Sequence, residues 1–301
     1  MITSRDEMKK EGRMMDITVA GRITEKEGHG GLRYLELRHE GSVAHVYPHG
    51  GHVSNYQPAG QAPVLWLSQQ SWFERDKPIR GGVPICWPWF GARPSDPGLP
   101  SHGVARLSEW TPGASRVTDE STAISLRCPA AAEFGASLEL LVVLDDALSI
   151  TLTTVNTGPA PLPLTEALHT YFAVSDISNV SITGLEGQRY IDSLKSERPV
   201  LEQNGPITFA AETDRIYIDT TEECVIHDAG LNRRVRVGKT GSRSTVVWNP
   251  WLAKAARMPD FGDDEHPEMV CVETANCGPN ALELAPGEKH AISARIHVAP
   301  V

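Results

Sequence analysis

The sequence has few of the features that mark secreted, membrane-spanning or nucleic-acid-binding proteins. Its 301 residues contain five cysteines, an odd number, and none are spaced as C-x-x-C. Secreted disulfide scaffolds use paired cysteines, so we expect reduced thiols and a cytoplasmic protein. No apolar run approaches the ~18 residues of a membrane span. The 38 acidic residues outnumber the 28 basic ones, which argues against nucleic acid or an anionic membrane as a partner.

Helical periodicity and nucleotide-binding loops are also scarce. Only Trp251–Met258 predicts a short helix. The glycine-rich segments at Gly28–Arg33 and Gly238–Thr240 each lack a required glycine, and neither precedes a long helix. With no internal repeat or linker, the sequence predicts a single domain over residues 17–301 after a flexible tail, Met1–Asp16. We expect a monomer that binds a small molecule.

What the chain does contain is many short apolar runs bounded by turn residues. Ser137–Leu144 and Leu148–Val155 flank Asp145-Asp146-Ala147, which predicts a β-hairpin with Leu148, Ile150 and Leu152 on one face. Further strands are predicted at Val43–Tyr47, Val64–Leu67, Thr122–Cys128, Val180–Thr183, Cys224–His227, Arg234–Val237, Thr245–Trp248, Met269–Glu273, Ala281–Leu284 and His290–Val298. Short strands with Gly and Pro turns are typical of an all-β sandwich or barrel.

The segment Ile79–Arg106 contains five prolines and five glycines, which exclude a helix or central strand of ordinary length. Its aromatic residues are too apolar to stay in water, so we expect an ordered, buried loop that lines a cleft. Trp89 would give the cleft a flat apolar wall suited to a sugar ring. Arginines at both ends of the loop suit a phosphate. The polar side chains directed into or near the cleft would be Arg80, Arg93, His102 and Arg106.

Three histidines, His45, His49 and His52, have a spacing that could suggest a metal site. Pro48 and the two glycines after His49 would break any helix between them. A strand followed by a glycine turn is therefore the preferred interpretation, and no metal is expected.

Three other polar residues each allow two interpretations. His169 stands among apolar residues, as a core histidine or a catalytic one would. Glu273 ends an apolar strand, where a carboxylate is costly to bury unless it is paired or functional. Asp214 precedes Arg215 and could form a surface ion pair or part of a site.

Six motifs, in this order, resemble those of a known family. They are R-G-G-V-P-I-C-W-P-W-F-G at 80–91, L-P-S-H-G-V-A-R at 99–106, E-A-L-H-T-Y-F at 166–172, D-R-x-Y at 214–217, V-V-W-N-P-W at 246–251 and C-V-E-T-A-N at 271–276. Together they are similar to the glucose-6-phosphate 1-epimerases, or hexose-6-phosphate mutarotases, of the aldose 1-epimerase superfamily. The resemblance spans roughly Gly50 to Pro286 and departs at Thr274, where the family often has proline.

The resemblance implies a large antiparallel β-sandwich with few short helices. In the family, the histidine matching His169 is the general acid and the glutamate matching Glu273 is the general base. The residues matching His102 and Asp214 hold sugar hydroxyls, and arginines around Arg80 receive the phosphate. The implied reaction interconverts the α and β anomers of a hexose 6-phosphate without metal or cofactor. The expected substrate is glucose 6-phosphate.

A carboxylate and an imidazole suit this reaction because both titrate near enough to neutrality to exchange protons. We expect Glu273 to be ionised and His169 protonated before turnover, since their attraction favours that state. Two alternatives stay open. An aldose 1-epimerase acting on free sugars would give no reason for Arg80 and Arg106 to converge. A non-catalytic carbohydrate-binding protein on the same fold would not need both His169 and Glu273.

Overall fold

The computed structural model describes Val19, residues 21–93 and residues 96–300. The predicted tail, Met1–Asp16, lies outside the described residues. Strands dominate the described part. In chain order they are β1 (Ile23–Glu27), β2 (Arg33–His39), β3 (Ser42–Tyr47), β4 (His52–Gln57), β5 (Ile85–Cys86), β6 (Thr111–Val117), β7 (Thr122–Arg127), β8 (Ala136–Leu144), β9 (Leu148–Asn156), β10 (Leu162–Leu164), β11 (Glu166–Leu168), β12 (Tyr171–Ala173), β13 (Val180–Thr183), β14 (Arg189–Asp192), β15 (Val200–Glu202), β16 (Thr213–Ile218), β17 (Cys224–Asp228), β18 (Arg233–Thr240), β19 (Ser244–Asn249), β20 (Met269–Asn276), β21 (Leu282–Leu284) and β22 (Lys289–Pro300).

The helices are short. The α-helix α1 (Trp251–Ala255) begins at the first residue of the predicted helix but ends earlier. Short 3-10 helices lie at His29–Gly31, Ala105–Leu107, Pro129–Phe134, Ile177–Asn179, His266–Glu268 and Gly278–Asn280. Within the described ranges, no helix is long and apolar enough to cross a membrane.

Two eight-stranded sheets form the main layers. We call the first the site sheet; its order is β15-β14-β16-β19-β20-β11-β5, and β12 also pairs with β20. The second, the back sheet, has the order β13-β17-β18-β22-β9-β8-β7-β6. Strands β1 to β4 form a four-stranded sheet, and β10 pairs with β21. The strand pairs within these sheets are antiparallel, as an antiparallel β-sandwich requires.

One cluster of buried apolar side chains joins the two layers. It contains Val270 and Val272 of the site sheet together with Ile150 and Ile292 of the back sheet. Along β9, buried residues alternate with half-buried ones, and Leu148, Ile150 and Leu152 share the buried face as predicted. The antiparallel β-sandwich is therefore confirmed.

Most of the predicted strands are present, with bounds that shift by a few residues. The hairpin is confirmed, since β8 and β9 pair in register down to Leu144 opposite Leu148. The predicted strand Val64–Leu67 is wrong. Leu65 makes a single bridge to Phe172, and Leu67 makes one to Gly81. The segment is apolar because Val64, Leu65 and Trp66 are buried in the core, not because it belongs to a sheet.

The Pro- and Gly-rich loop Ile79–Arg106 is buried from Gly81 to Trp89, as predicted, whereas its described residues at 92–93 and 96–98 are exposed. It contributes the two-residue strand β5 to the edge of the site sheet and a 3-10 turn at its end. Gly103 has a φ of +77°, and a Cβ atom there would lie 1.9 Å from the carbonyl oxygen of Trp87. Only glycine allows the two halves of the loop to approach this closely.

Candidate active site

A cavity of about 670 Å³ opens on the face of the site sheet that points away from the back sheet. Its walls come from the site sheet, from the loop Ile79–Arg106 and from the segments that follow β14 and β19. The polar and aromatic residues that line it include Arg80, Phe90, His102, Arg106, His169, Tyr171, Arg198, Asp214, Trp248, Lys254 and Glu273. Six of the seven predicted site residues therefore lie together.

Strand alternation carries Glu273 to the cavity. Val270 and Val272 of β20 point into the core between the sheets, so Glu273 takes the opposite face. On the neighbouring strand β19, Val246 lies directly opposite Glu273 in the register. Trp248, two residues farther along β19, also lines the cavity. An apolar strand thus places one carboxylate on the cavity floor.

His169 lies in the short connection between β11 and β12. Its backbone N–H donates to the carbonyl oxygen of Pro84 at 3.1 Å, which fixes the connection to the loop. Its Nε2 lies 3.4 Å from Oε1 of Glu273. His169 is 8% exposed and Glu273 is 1% exposed. Nδ1 of His169 and Oε2 of Glu273 are buried and have no hydrogen-bond partner among the described residues.

Burial dominates the electrostatics of this pair. It lowers the pKa of His169 well below its ordinary value, and the positive charges of nearby Arg106 and Arg80 act in the same direction. Burial raises the pKa of Glu273 well above its ordinary value, and the negative charge of Asp214 adds to this. Both shifts run against the expected pairing of an ionised Glu273 with a protonated His169, because burial penalises the charged form of each residue.

His102 has a left-handed backbone, with φ +63°, and its ring faces the cavity. Nδ1 accepts the backbone N–H of Gly91 at 3.3 Å and contacts Sγ of Cys86 at 3.4 Å. Burial lowers the pKa of His102 to about 3, with the positive charges of Arg106 and Arg80 adding to the effect. The ring is thus neutral, and Nε2 carries the proton as a hydrogen-bond donor.

Arg80 lines the cavity, but its charge is already matched. Its Nε and Nη2 donate to the two carboxylate oxygens of Asp260, both at 3.2 Å. Its Nη1 donates to the hydroxyl of Tyr171 at 2.8 Å. Asp260 is 3% exposed, so this is a buried bidentate pair. No motif pointed to this partner, because Asp260 lies outside every one of them.

Arg106 differs from Arg80 in its partners. Its Nη2 donates to the carbonyl oxygen of Ser101 at 2.7 Å, while its Nε is buried without a hydrogen-bond partner in the described residues. No ion pair among the described residues involves Arg106, in contrast to the Arg80–Asp260 pair. Burial lowers the pKa of Arg106, which is the expected effect on a cation held in a cavity without a counter-charge.

Asp214 occupies the opposite wall, on β16, where it lies across from Trp248 in the strand register. Burial raises the pKa of Asp214, and the positive charges of Lys254 and Arg198 oppose that shift. Lys254 also pairs with Glu212 at 3.1 Å. The cavity therefore has an acidic residue with two cations near it, away from the loop that carries Arg106.

The expectation that Trp89 forms a wall of the site is wrong. Trp89 packs edge-on against Phe134, with ring centroids 6.0 Å apart, and its Nε1 donates to the carbonyl oxygen of Pro100 at 3.0 Å. Arg93 lies over the Trp89 ring and likewise stands outside the described cavity lining. Neighbouring side chains in an extended segment point to opposite sides, so Phe90 faces the cavity instead. The aromatic walls are Phe90, Tyr171 and Trp248.

The lining also includes residues that were not predicted from the sequence as site residues, among them Tyr171, Arg198, Trp248, Lys254 and Cys277. Tyr171 and Trp248 stand inside motifs that carry the resemblance, so period-2 alternation from His169 and from the strand β19 could have found them. Arg198, Lys254 and Cys277 belong to no motif, and only the folded chain brings them to the cavity.

The three histidines considered as a metal site do not converge. His45 lies on β3, 3.5 Å from Oε2 of Glu36, whereas Nε2 of His49 contacts the carbonyl oxygen of Lys77 at 2.6 Å. His52 begins β4 after the glycine turn, as the preferred interpretation predicted. Among the described residues, one set of three could hold a metal ion, with ligand atoms within 4.8 Å of one another: His169, Cys271 and Glu273.

Comparisons with known proteins show the family to which the chain belongs. The family model for aldose 1-epimerase matches residues 33–297. A protein of Escherichia coli (strain K12), named as a candidate glucose-6-phosphate 1-epimerase, is 37% identical over 230 residues, which cover 75% of this chain and 77% of that protein. A protein of Cenchrus ciliaris with the same name is 35% identical over 275 residues, 86% of this chain and 82% of its own. The crystal structure of a candidate mutarotase from Salmonella typhimurium has a TM-score of 0.86 at 31% identity and covers 94% of this chain and 96% of that one.

Proposed function

The chain belongs to the aldose 1-epimerase family, and we propose that it interconverts the α and β anomers of a hexose 6-phosphate, with glucose 6-phosphate preferred. The observation that carries the proposal is the 3.4 Å approach of His169 Nε2 to Glu273 Oε1 on the floor of a cavity. Arg106, a cation without a described carboxylate partner, lines the same cavity. The names of the relatives from Escherichia coli and Cenchrus ciliaris support the choice of substrate.

The pair carries one proton, which either residue can hold. From the charged form, His169 donates its proton to the ring oxygen while Glu273 takes the proton of the C1 hydroxyl. The bond from C1 to the ring oxygen breaks, and a C1 aldehyde forms. After rotation about C1–C2, Glu273 returns its proton to the aldehyde oxygen. His169 takes the proton of the C5 hydroxyl as that oxygen closes on the other face of C1. Each group contributes roughly 10²–10⁴-fold to the rate.

The pKa directions favour the open-chain stage of this cycle. When the ring is open, His169 is neutral and Glu273 is protonated, which is the form that burial favours. Burial therefore favours the proton arrangement of the open-chain complex, whereas the charged pair that starts the cycle is costly to form.

Other cavity residues are suited to hold the sugar. The neutral His102 offers an Nε2–H donor, and Asp214 offers an acceptor from the opposite wall. Phe90 and Trp248 supply apolar ring surface on which a sugar can pack. These contacts would orient C1 towards the His169–Glu273 pair, and holding the reacting groups in this geometry accelerates the reaction.

We assign the phosphate to Arg106. Its positive charge lowers the pKa of both His102 and His169, so the guanidinium lies within electrostatic reach of the sugar site. A charge-assisted Arg–phosphate contact is worth roughly 1.5–3 kcal/mol, or about 10–10²-fold in affinity. Arg80 is already paired with Asp260, which reduces the attraction that the sequence alone suggested.

The test is polarimetry of freshly dissolved α-glucose 6-phosphate with and without protein, beside α-glucose and α-galactose. We expect the phosphorylated sugar to be accelerated most. The charge of Arg80 is matched by Asp260, so Arg80 does not call for a phosphate. This favours the alternative of an aldose 1-epimerase that acts on free sugars. Faster conversion of galactose than of glucose 6-phosphate would establish that alternative. Binding of sugar without any acceleration would indicate a non-catalytic carbohydrate-binding protein.

A further inference from the structure

We propose that Arg80, held by Asp260, is a positioning residue for the reaction, which keeps the Tyr171 ring stacked against the imidazole of His169. This assigns Arg80 a role in kcat rather than in phosphate selectivity. The proposal rests on the proposed function, because it takes His169 as the group that exchanges protons with the sugar.

The first step is the fixed orientation of the Arg80 guanidinium. Asp260 accepts from both Nε and Nη2 at 3.2 Å, and the Arg80 side chain is only 19% exposed. A planar guanidinium held through two of its nitrogens by a buried carboxylate cannot rotate without breaking both hydrogen bonds. The third nitrogen, Nη1, therefore points in a fixed direction.

The second step is the contact of that third nitrogen with Tyr171. Nη1 donates to the phenol oxygen at 2.8 Å, and Tyr171 is 1% exposed. Trp66 stacks on the same ring at a centroid distance of 5.7 Å and 21°, and Trp248 meets it edge-on at 5.9 Å. The ring is thus confined by aromatic neighbours, and its polar end is fixed by Arg80.

The third step is the stack of Tyr171 on His169. The two rings lie 4.9 Å apart between centroids and are inclined by 11°. Nδ1 of His169 is buried with no hydrogen-bond partner in the described residues, so no acceptor orients the imidazole from behind. His102 and Trp248 contact the imidazole only edge-on, at 5.5 Å and 6.1 Å. The parallel face of Tyr171 is the main restraint on how Nε2 points at Glu273.

This arrangement predicts a particular division between kcat and KM. We expect Tyr171→Phe, which keeps the ring but removes the phenol oxygen, to lower kcat roughly 10–10²-fold, a loss that small displacements of a reacting group can cause. Arg80→Lys should lower kcat by a similar factor, because an ammonium group cannot hold Asp260 and Tyr171 at once. Both losses should be equal on glucose 6-phosphate and glucose, with KM for either sugar nearly unchanged.

A double-mutant cycle gives the matched control. If Arg80 acts through Tyr171, Arg80→Lys combined with Tyr171→Phe should lose no more activity than the worse single variant. Arg106→Lys combined with Tyr171→Phe should give the product of the two single effects. A KM increase for glucose 6-phosphate alone in Arg80→Lys, or wild-type kcat in Tyr171→Phe, would overturn the proposal.

A structural readout separates this proposal from the proposed function. In crystals of Arg80→Lys and Tyr171→Phe, we expect the His169 ring to leave its stack and Nε2 to move away from Glu273. An unmoved imidazole in both variants would refute the positioning role whatever the substrate. If the wild type prefers a free sugar, the same kcat and KM comparison applies to that sugar. If it converts no sugar, the function fails, and the position of the imidazole still decides the inference.

Discussion

The backbone N–H of Gly91 lies 3.3 Å from Nδ1 of His102, and this contact determines which ring nitrogen can serve the substrate. Because Nδ1 accepts, the proton of the neutral imidazole resides on Nε2, on the cavity side. The loop Ile79–Arg106 therefore supplies both the donor and the backbone contact that fixes its tautomer.

Replacing His102 should weaken sugar binding without a pH signature. We expect His102→Asn to raise KM about 10-fold, the equivalent of one lost hydrogen bond, because asparagine tolerates the left-handed backbone but does not reach as far. Since the pKa of His102 is lowered to about 3, its protonation should not change between about pH 5 and 8. The measurement is KM across that range. A wild-type to variant ratio that varies with pH would contradict the neutral assignment.

Arg106 should determine phosphate selectivity. We expect Arg106→Ala to lower kcat/KM for glucose 6-phosphate about 10–10²-fold while leaving free glucose nearly unaffected, because only the phosphate needs the cation. Arg106→Lys, which keeps the charge but loses the fork, should lie between wild type and Arg106→Ala. The measurement is kcat/KM for both sugars in the three proteins. Equal losses on both sugars would mean that Arg106 supports the loop and does not bind phosphate.

A pH-dependent contact links the two layers. Nε2 of His290 on β22 lies 3.1 Å from Oε1 of the fully buried Glu166 on β11, and this hydrogen bond raises the pKa of His290. A histidine with a raised pKa stabilises the fold below its ordinary pKa of ~6.5, and loses that contribution as the pH rises through the folded-state value. The Tm deficit of His290→Gln should therefore be larger at about pH 6 than at about pH 8.5.

The control for that comparison is His297→Gln, on the same strand, where no carboxylate partner occurs in the described residues. Its Tm difference from wild type should be small and should change little with pH. A deficit for His290→Gln that stays constant from low to high pH would show that the contact does not titrate.

Removing metal should not slow the enzyme. Proton transfer by His169 and Glu273 completes the proposed cycle, so dialysis against a chelator should leave the mutarotation rate unchanged. Added Zn²⁺ should inhibit, since His169, Cys271 and Glu273 could hold an ion and a held ion would block both proton-transfer atoms. Activity that falls on chelation and returns with Zn²⁺ would show that a metal takes part in the reaction.

The sequence predicted the elements whose signals are local. Period-2 alternation identified β9 and β22, and the turn at Asp145-Asp146-Ala147 identified the β8–β9 hairpin. The same reasoning failed at Val64–Leu67, because burial in the core gives a loop the same apolar composition as a strand. Short runs of this kind cannot be separated from strands by periodicity alone.

Site residues could be predicted from the sequence only where they lie in one of the motifs. His169 and Glu273 were open to two interpretations from their surroundings, and only their place in family motifs suggested a common role. The pairing of Arg80 with Asp260 joins a motif to a segment without one, and nothing local to either residue indicates it. Trp89 was predicted to be a wall of the cavity because the loop Ile79–Arg106 is rich in aromatic residues. The direction of its side chain depends instead on packing against Phe134.

The central claim is that one acid–base pair, His169 and Glu273, exchanges the anomers of a hexose 6-phosphate. The most direct test is the exchange rate between α- and β-glucose 6-phosphate, measured by NMR at anomeric equilibrium for wild type, His169→Asn and Glu273→Gln. We expect each variant to lose at least ~10² in kcat while unfolding as cooperatively as wild type, and the double variant to lose little more. Near-wild-type exchange in either folded single variant would contradict the account.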